Sequence, residues 1–141
     1  VGIKNVFTAG NGADALQVLR SHSIDVAIVD WEMPLMNGIE LVKRIRTSER
    51  APDPTMPILM LTSYAEETRV MEAKKAGVHQ YLTKPFTGSG LLTRLEAALN
   101  GDLPFVSTPS RVGPKQRPLR PSQIVQVSTD QDAANLERTR N

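Results

Sequence analysis

An α/β fold with a parallel sheet is what the sequence predicts for residues 1–100. Short apolar runs alternate there with amphipathic segments of helical period. The run Val26-Ala27-Ile28-Val29 ends in a carboxylate, Asp30, and two other runs stop at comparable punctuation. Pro57-Ile58-Leu59-Met60-Leu61 stops at Thr62-Ser63, and Gln80-Tyr81-Leu82 stops at Thr83-Lys84-Pro85. In open α/β sheets chemistry gathers beyond the carboxyl ends of the strands. A carboxylate, a hydroxyl and an ammonium at three strand ends therefore form one candidate constellation.

Each element follows from local chemistry. Asn5 to Ala9 reads as a first strand, and Ala13 to His22 as a helix with Ala15, Leu16 and Leu19 on one face, opened by Asn11 with Asp14 three residues on. Val26 to Asp30 is β-branched and continuous, the signature of a strand buried on both faces. The next helix starts at Asn37 with Glu40 three residues later, buries Leu41, Val42 and Ile45, and ends before a loop whose three prolines cannot continue it. Ile58 to Leu61 is another strand. Glu66 and Glu67 load the start of the following helix and Lys74 and Lys75 its end, in line with the helix dipole, and Gly77 stops it. Gln80 to Leu82 is a further strand, and a last helix runs from about Ser89 to Asn100 with Leu91, Leu92, Leu95, Ala98 and Leu99 inward.

Composition sets limits. With 141 residues, 40% apolar and 23% charged, the chain suits one soluble domain and an appendage. No apolar run is long enough for a membrane span and no secretory signal is visible, so a cytoplasmic protein is expected. The absence of cysteine excludes a disulfide framework and cysteine-ligated zinc. Residues 1–100 carry 11 Lys+Arg against 11 Asp+Glu, so the formal charge of +2 belongs to residues 101–141. That tail holds five of the ten prolines between 104 and 121 and is expected to be disordered or loosely draped, except that Ile124-Val125-Gln126-Val127 could form a short strand. Its basic stretch lacks aromatics for stacking and a helix to enter a groove, so no specific nucleic acid is expected as a partner. Gly10-Asn11-Gly12 lacks the other residues of a phosphate loop and reads as a tight turn. His22 and His79 read as surface residues, and Met56, Met60 and Met71 as core filling.

Asp30-Trp31-Glu32-Met33-Pro34 with Asn37-Gly38, then Leu61-Thr62-Ser63, then Tyr81-Leu82-Thr83-Lys84-Pro85-Phe86, in that order and spacing, resemble the receiver domain of bacterial two-component response regulators. The resemblance covers about residues 1–100 and implies a flavodoxin-like, doubly wound parallel sheet. It implies a phosphorelay role: Asp30 as phosphoacceptor, Thr62 and Lys84 stabilising the phosphoryl group, and Thr62 with Tyr81 as the switch that remodels a protein-interaction surface. A histidine kinase or histidine phosphotransfer protein as donor and a protein effector downstream are the implied partners. The implied cofactor is Mg²⁺, held by Asp30, by the backbone carbonyl of Glu32 and by an acidic pair ending the family's first strand.

At that pair the sequence departs from the family. The family's first strand and helix have no counterpart before Asn5, and the chain reads as an N-terminally truncated piece with an impaired metal site. In the family's strand order the lost strand lies between Asn5–Ala9 and Val26–Asp30, so the sheet is expected to be incomplete. Unpaired backbone there invites another chain, a dimer included, or a foreign segment. Two other readings stay open on sequence alone. One is a receiver-like module that is never phosphorylated and works by contact. The other is an aspartate-nucleophile phosphatase, which would use Glu32, two residues after Asp30, as its acid/base group.

Overall fold

The computed structural model describes residues 3–33, 35–48, 53–101 and 121–128. In chain order these form β1 (Asn5–Ala9), α1 (Gly12–Ser21), β2 (Val26–Asp30), α2 (Gly38–Thr47), β3 (Ile58–Thr62), α3 (Glu67–Ala76), β4 (Gln80–Thr83), α4 (Gly88–Asn100) and β5 (Gln123–Val127). Helix ends obey the capping chemistry of their flanking residues. The Asn11 side chain accepts from the Asp14 amide at 2.9 Å, and Asn37 and Glu40 form a reciprocal capping box. The Thr87 hydroxyl accepts from the Gly90 amide at 3.0 Å. Gly77 ends α3 at φ 109°, a left-handed conformation that glycine adopts without a steric penalty.

All five strands are parallel, in the order β1-β5-β2-β3-β4. Every residue of β2 and β3 is buried, as their unbroken apolar sequences require. One face of the sheet, with Ala27, Val29, Ile58, Met60, Val125 and Val127, packs against α1, α2 and α3. The other, with Val26, Ile28, Leu59, Leu61 and Ile124, packs against Leu91, Leu95, Ala98 and Leu99 of α4. None of the described helices is long and apolar enough to cross a membrane.

The structure corrects the expectation of a gap between β1 and β2. That position is filled from within the chain by β5, which pairs with β1 along Asn5↔Gln123 to Ala9↔Val127 and with β2 along Val26↔Ile124 to Val29↔Val127. Two strands with open backbone on facing edges demand a partner, and 124–127 supply apolar side chains for both faces of the sheet. Asp25 anchors the entry of β5. Its Oδ2 accepts from the Ser122 amide at 2.9 Å, the Ser122 hydroxyl at 3.0 Å and the Gln123 amide at 3.0 Å. At the exit the Ser128 amide donates to the Ala9 carbonyl at 3.1 Å. The expected disorder of the tail concerns 102–120 and 129–141, which lie outside the described residues.

Three smaller readings change as well. Leu92, expected on the inward side of the last helix, is exposed. Met71 is exposed rather than core, since α3 turns that side outward. His79 is half-buried: its Nδ1 accepts from the Ile58 amide at 3.2 Å, beside the buried Arg46, which donates to the carbonyls of Gly77 and Pro54.

Because Ile124 is fully buried between two strands, Ile124→Ala should lower the unfolding free energy by about 2–5 kcal/mol in urea denaturation. Gln126 is buried in the same strand, and its Oε1 has no hydrogen-bond partner among the described residues. Gln126→Leu should therefore be neutral or stabilising by about 1 kcal/mol in the same assay. A large loss from Gln126→Leu and none from Ile124→Ala would remove β5 from the middle of the sheet.

Candidate functional site

The carboxyl ends of β2, β3 and β4 lie side by side, so the residues that end them share one rim of the sheet. Asp30 closes β2 opposite Leu61, Thr62 closes β3 opposite Thr83, and Lys84 follows β4 directly. Asp30 is 2% exposed. The Lys84 ammonium reaches across the end of β3 and donates to Asp30 Oδ2 at 3.0 Å. Backbone bonds fix this geometry: the Trp31 amide donates to the Leu61 carbonyl and the Lys84 amide to the Thr62 carbonyl, each at 2.8 Å.

Gly38 lets the chain turn back over the site. A Cβ there would come within 2.6 Å of the Asp30 carbonyl oxygen and 2.9 Å of Trp31 Cα, so only glycine allows α2 to begin against the end of β2. The Gly38 amide uses that proximity to donate to the Trp31 carbonyl at 3.0 Å.

Thr62 is fully buried, and its hydroxyl is turned toward Glu32, donating to Oε2 at 2.8 Å. The structure thus brings Asp30 and Lys84 into direct contact while the Thr62 proton is committed elsewhere. The Glu32 carboxylate also accepts from the Ser63 amide at 3.1 Å and from Arg69 Nη2 at 2.7 Å. Arg69 lies over Trp31, its guanidinium carbon 3.8 Å from the ring centroid, and 4.9 Å from the centroid of Tyr64. Neither Arg69 nor the side chain of Glu32 is marked by the motifs in these contacts. A signal for Arg69 does exist: a cation in the first turn of a helix opposes the dipole, which calls for an anion nearby.

Tyr81, on β4, meets Trp31 edge-on with centroids 6.3 Å apart, and its hydroxyl donates to the Tyr64 carbonyl. It therefore ties β4 to the loop that follows Thr62. Burial pushes the Tyr81 phenol above its ordinary value, and the Thr62 hydroxyl and Arg69 offset this in part.

Mg²⁺ prefers several oxygen ligands with one or two carboxylates among them. On this rim the Asp30 carboxylate is paired with Lys84, and the Glu32 carboxylate is taken by three donors. Among the described residues no group of three Asp, Glu, His or Cys side chains could hold a metal. The strand between β1 and β2 is followed by Ser128, not by a carboxylate, and Asp130 and Asp132 lie outside the described residues. By themselves the described residues do not make a Mg²⁺ site.

A doubly wound parallel sheet with helices on both faces places the chain in the flavodoxin-like class of α/β folds, here with an acidic, a hydroxyl and a basic side chain on one rim. The response regulator receiver domain family matches residues 1–96, and the chain belongs to that family. It is 38% identical over 96 residues to the chemotaxis protein CheY of Pseudomonas aeruginosa, covering 68% of this chain and 76% of that one. It is 41% identical over 100 residues to a CheY homolog of Campylobacter jejuni, covering 70% and 75%. Among solved structures it matches Vibrio cholerae CheY4 with a TM-score of 0.60 at 28% identity, covering 69% of this chain and 99% of that one. The receiver domain of a Francisella response regulator matches with a TM-score of 0.57 at 30% identity, covering 65% and 73%.

The Tyr81 environment gives a measurable signature. A phenol whose folded pKa is raised favours the neutral form in the fold, so its contribution to stability is complete below about pH 10 and is lost as pH rises through the raised value. In an ultraviolet titration of the two tyrosines, the step that vanishes in Tyr81→Phe should lie above about pH 10. A vanishing step at or below that pH would contradict the half-buried, hydrogen-bonded placement of the ring.

Proposed function

We propose that this receiver domain accepts a phosphoryl group on Asp30 from the phosphohistidine of a histidine kinase or histidine phosphotransfer protein, and then presents an altered surface to a protein effector. The observation that carries the reading is the buried Asp30 carboxylate with the Lys84 ammonium 3.0 Å from Oδ2. In the transfer, an Asp30 oxygen forms a bond to phosphorus as the phosphorus–nitrogen bond of the donor breaks, and the imidazole nitrogen keeps the electron pair. The product is an acyl phosphate. Charge spreads over the equatorial oxygens in the transition state, and catalysis is largely positioning and electrostatic stabilisation. Lys84 supplies a fixed cation for one of those oxygens, and the Thr62 hydroxyl serves another once it turns from Glu32. Mg²⁺ belongs to the same reading as its metal; Asp30 and the Glu32 backbone carbonyl would hold it, with the remaining oxygen ligands not supplied by the described residues.

The switch in this reading runs from Thr62 to Tyr81. Both are joined to the segment at Tyr64: the Tyr64 amide donates to the Thr62 hydroxyl at 3.2 Å and the Tyr64 carbonyl accepts from Tyr81. A rotation of Thr62 toward the phosphoryl group disturbs that segment and with it the ring on β4. The domain thereby acts as a regulatory element that assists its own phosphorylation and dephosphorylation, in the cytoplasm, without nucleic acid or membrane as a direct partner. Phosphatase chemistry is disfavoured because the Glu32 carboxylate is held by three donors.

Acetyl phosphate with added Mg²⁺, applied to the full chain and read by intact mass, should give one phosphate-sized gain. Asp30→Ala should abolish it, and Lys84→Ala should slow it by about a hundredfold or more, the scale set by removal of one electrostatic stabiliser. No gain in the unmodified chain, or a gain that survives Asp30→Ala, would overturn the proposal.

A further inference from the structure

We propose that Glu32 and Arg69 form a resting-state latch that captures the Thr62 hydroxyl and must open before that hydroxyl can serve a phosphoryl group on Asp30. The inference rests on the phosphoacceptor reading of Asp30 and adds to it the group that holds the switch closed.

The hydrogen-bond inventory around Thr62 fixes where its proton points. Thr62 Oγ1 receives the Tyr64 amide at 3.2 Å and Arg69 Nη2 at 3.3 Å, and both of these groups can only donate. A hydroxyl has a single proton, and here its acceptor is Glu32 Oε2 at 2.8 Å. The same proton cannot also be given to a phosphoryl oxygen. Glu32 is thus a competitor for the hydroxyl, a carboxylate in the place where a second anion would need the same donor.

Arg69 keeps Glu32 in position. Its Nη2 bridges the Glu32 carboxylate and the Thr62 hydroxyl, while its guanidinium lies over Trp31. The guanidinium is not fully satisfied: its buried Nε–H has no acceptor among the described residues. It also sits in the first turn of α3, where the helix dipole disfavours a cation. The side chains of Arg69 and Glu32 are 29% and 36% exposed, so solvent screens the pair and keeps it weak enough to release. A latch of this kind delays the switch without blocking it.

The test compares the full chain with Glu32→Ala and Glu32→Gln, each treated with acetyl phosphate and Mg²⁺. Two signals are followed: the rate of the phosphate-sized mass gain and the emission of Trp31, the single tryptophan. Glutamine removes the charge but keeps an acceptor for Thr62, whereas alanine removes both. Glu32→Ala should be phosphorylated about three- to tenfold faster, the range expected for a partly exposed ion pair and one hydrogen bond. Glu32→Gln should remain closer to the unmodified chain. Trp31 emission in unphosphorylated Glu32→Ala should already resemble that of the phosphorylated unmodified chain. Equal acceleration in both variants would mean that charge alone matters and overturns the latch, as would three identical rates. Either result leaves Asp30 standing as phosphoacceptor. No phosphate in any of the three forms overturns the latch together with the phosphoacceptor reading.

Discussion

Everything on the functional rim depends on the pairing of β5 between β1 and β2. Asp30 ends β2, and β2 is held along both edges, by β3 on one side and β5 on the other. A strand bound on one edge alone would be free to twist and fray at its carboxyl end, where Asp30 sits. The Asp25 clamp at the entry of β5 and the Ser128–Ala9 bond at its exit fix the register. Register matters because a shift by a single residue exchanges the faces. Ile124 would then leave the α4 side and Val125 would leave the opposite core.

On that framework two ion pairs divide the rim. Lys84 meets Asp30 where the carboxylate is almost completely desolvated, and a charge buried there is tolerated because its partner lies within hydrogen-bond distance. Arg69 meets Glu32 nearer the surface, supported by aromatic faces and sharing its donor with Thr62. The inner pair is largely withdrawn from solvent, whereas the outer pair is partly exposed and screened by it. Tyr81 touches the two residues whose rings support the outer pair, meeting Trp31 edge-on and bonding the Tyr64 carbonyl.

What the sequence disclosed and what it concealed divide along the range of the interactions. Asn11, Asn37 with Glu40, and Gly77 announce helix ends because a cap is settled within a few residues. The strand ends at Asp30, Thr62 and Lys84 were legible because apolar runs stop abruptly at polar residues, and the motif order carried the family. The home of 124–127 is not legible, since three apolar residues and a glutamine do not say which edges they will join. Asp25 gave no sign of its clamp for the same reason, its partners being 97 and 98 positions away. Arg69 was hidden by distance as well: its anion is 37 positions back, and the acidic residues beside it suggest an ordinary helix start. For Met71 and His79 residue type alone does not say which side of its element turns inward.

The position of β5 also shapes how the molecule is reached from its unfolded state. The strand in the second slot of the sheet is the final described element of the chain, and its contacts bridge separations such as the 118 positions between Asn5 and Gln123. Contacts of that span raise the contact order and slow the search for the native topology, although each doubling of a closing loop costs only about 0.6 kcal/mol. While the search lasts, the inner edges of β1 and β2 stand open to other polypeptides. The same seam that rigidifies the finished rim is therefore the place where an unfinished molecule is most prone to aggregate.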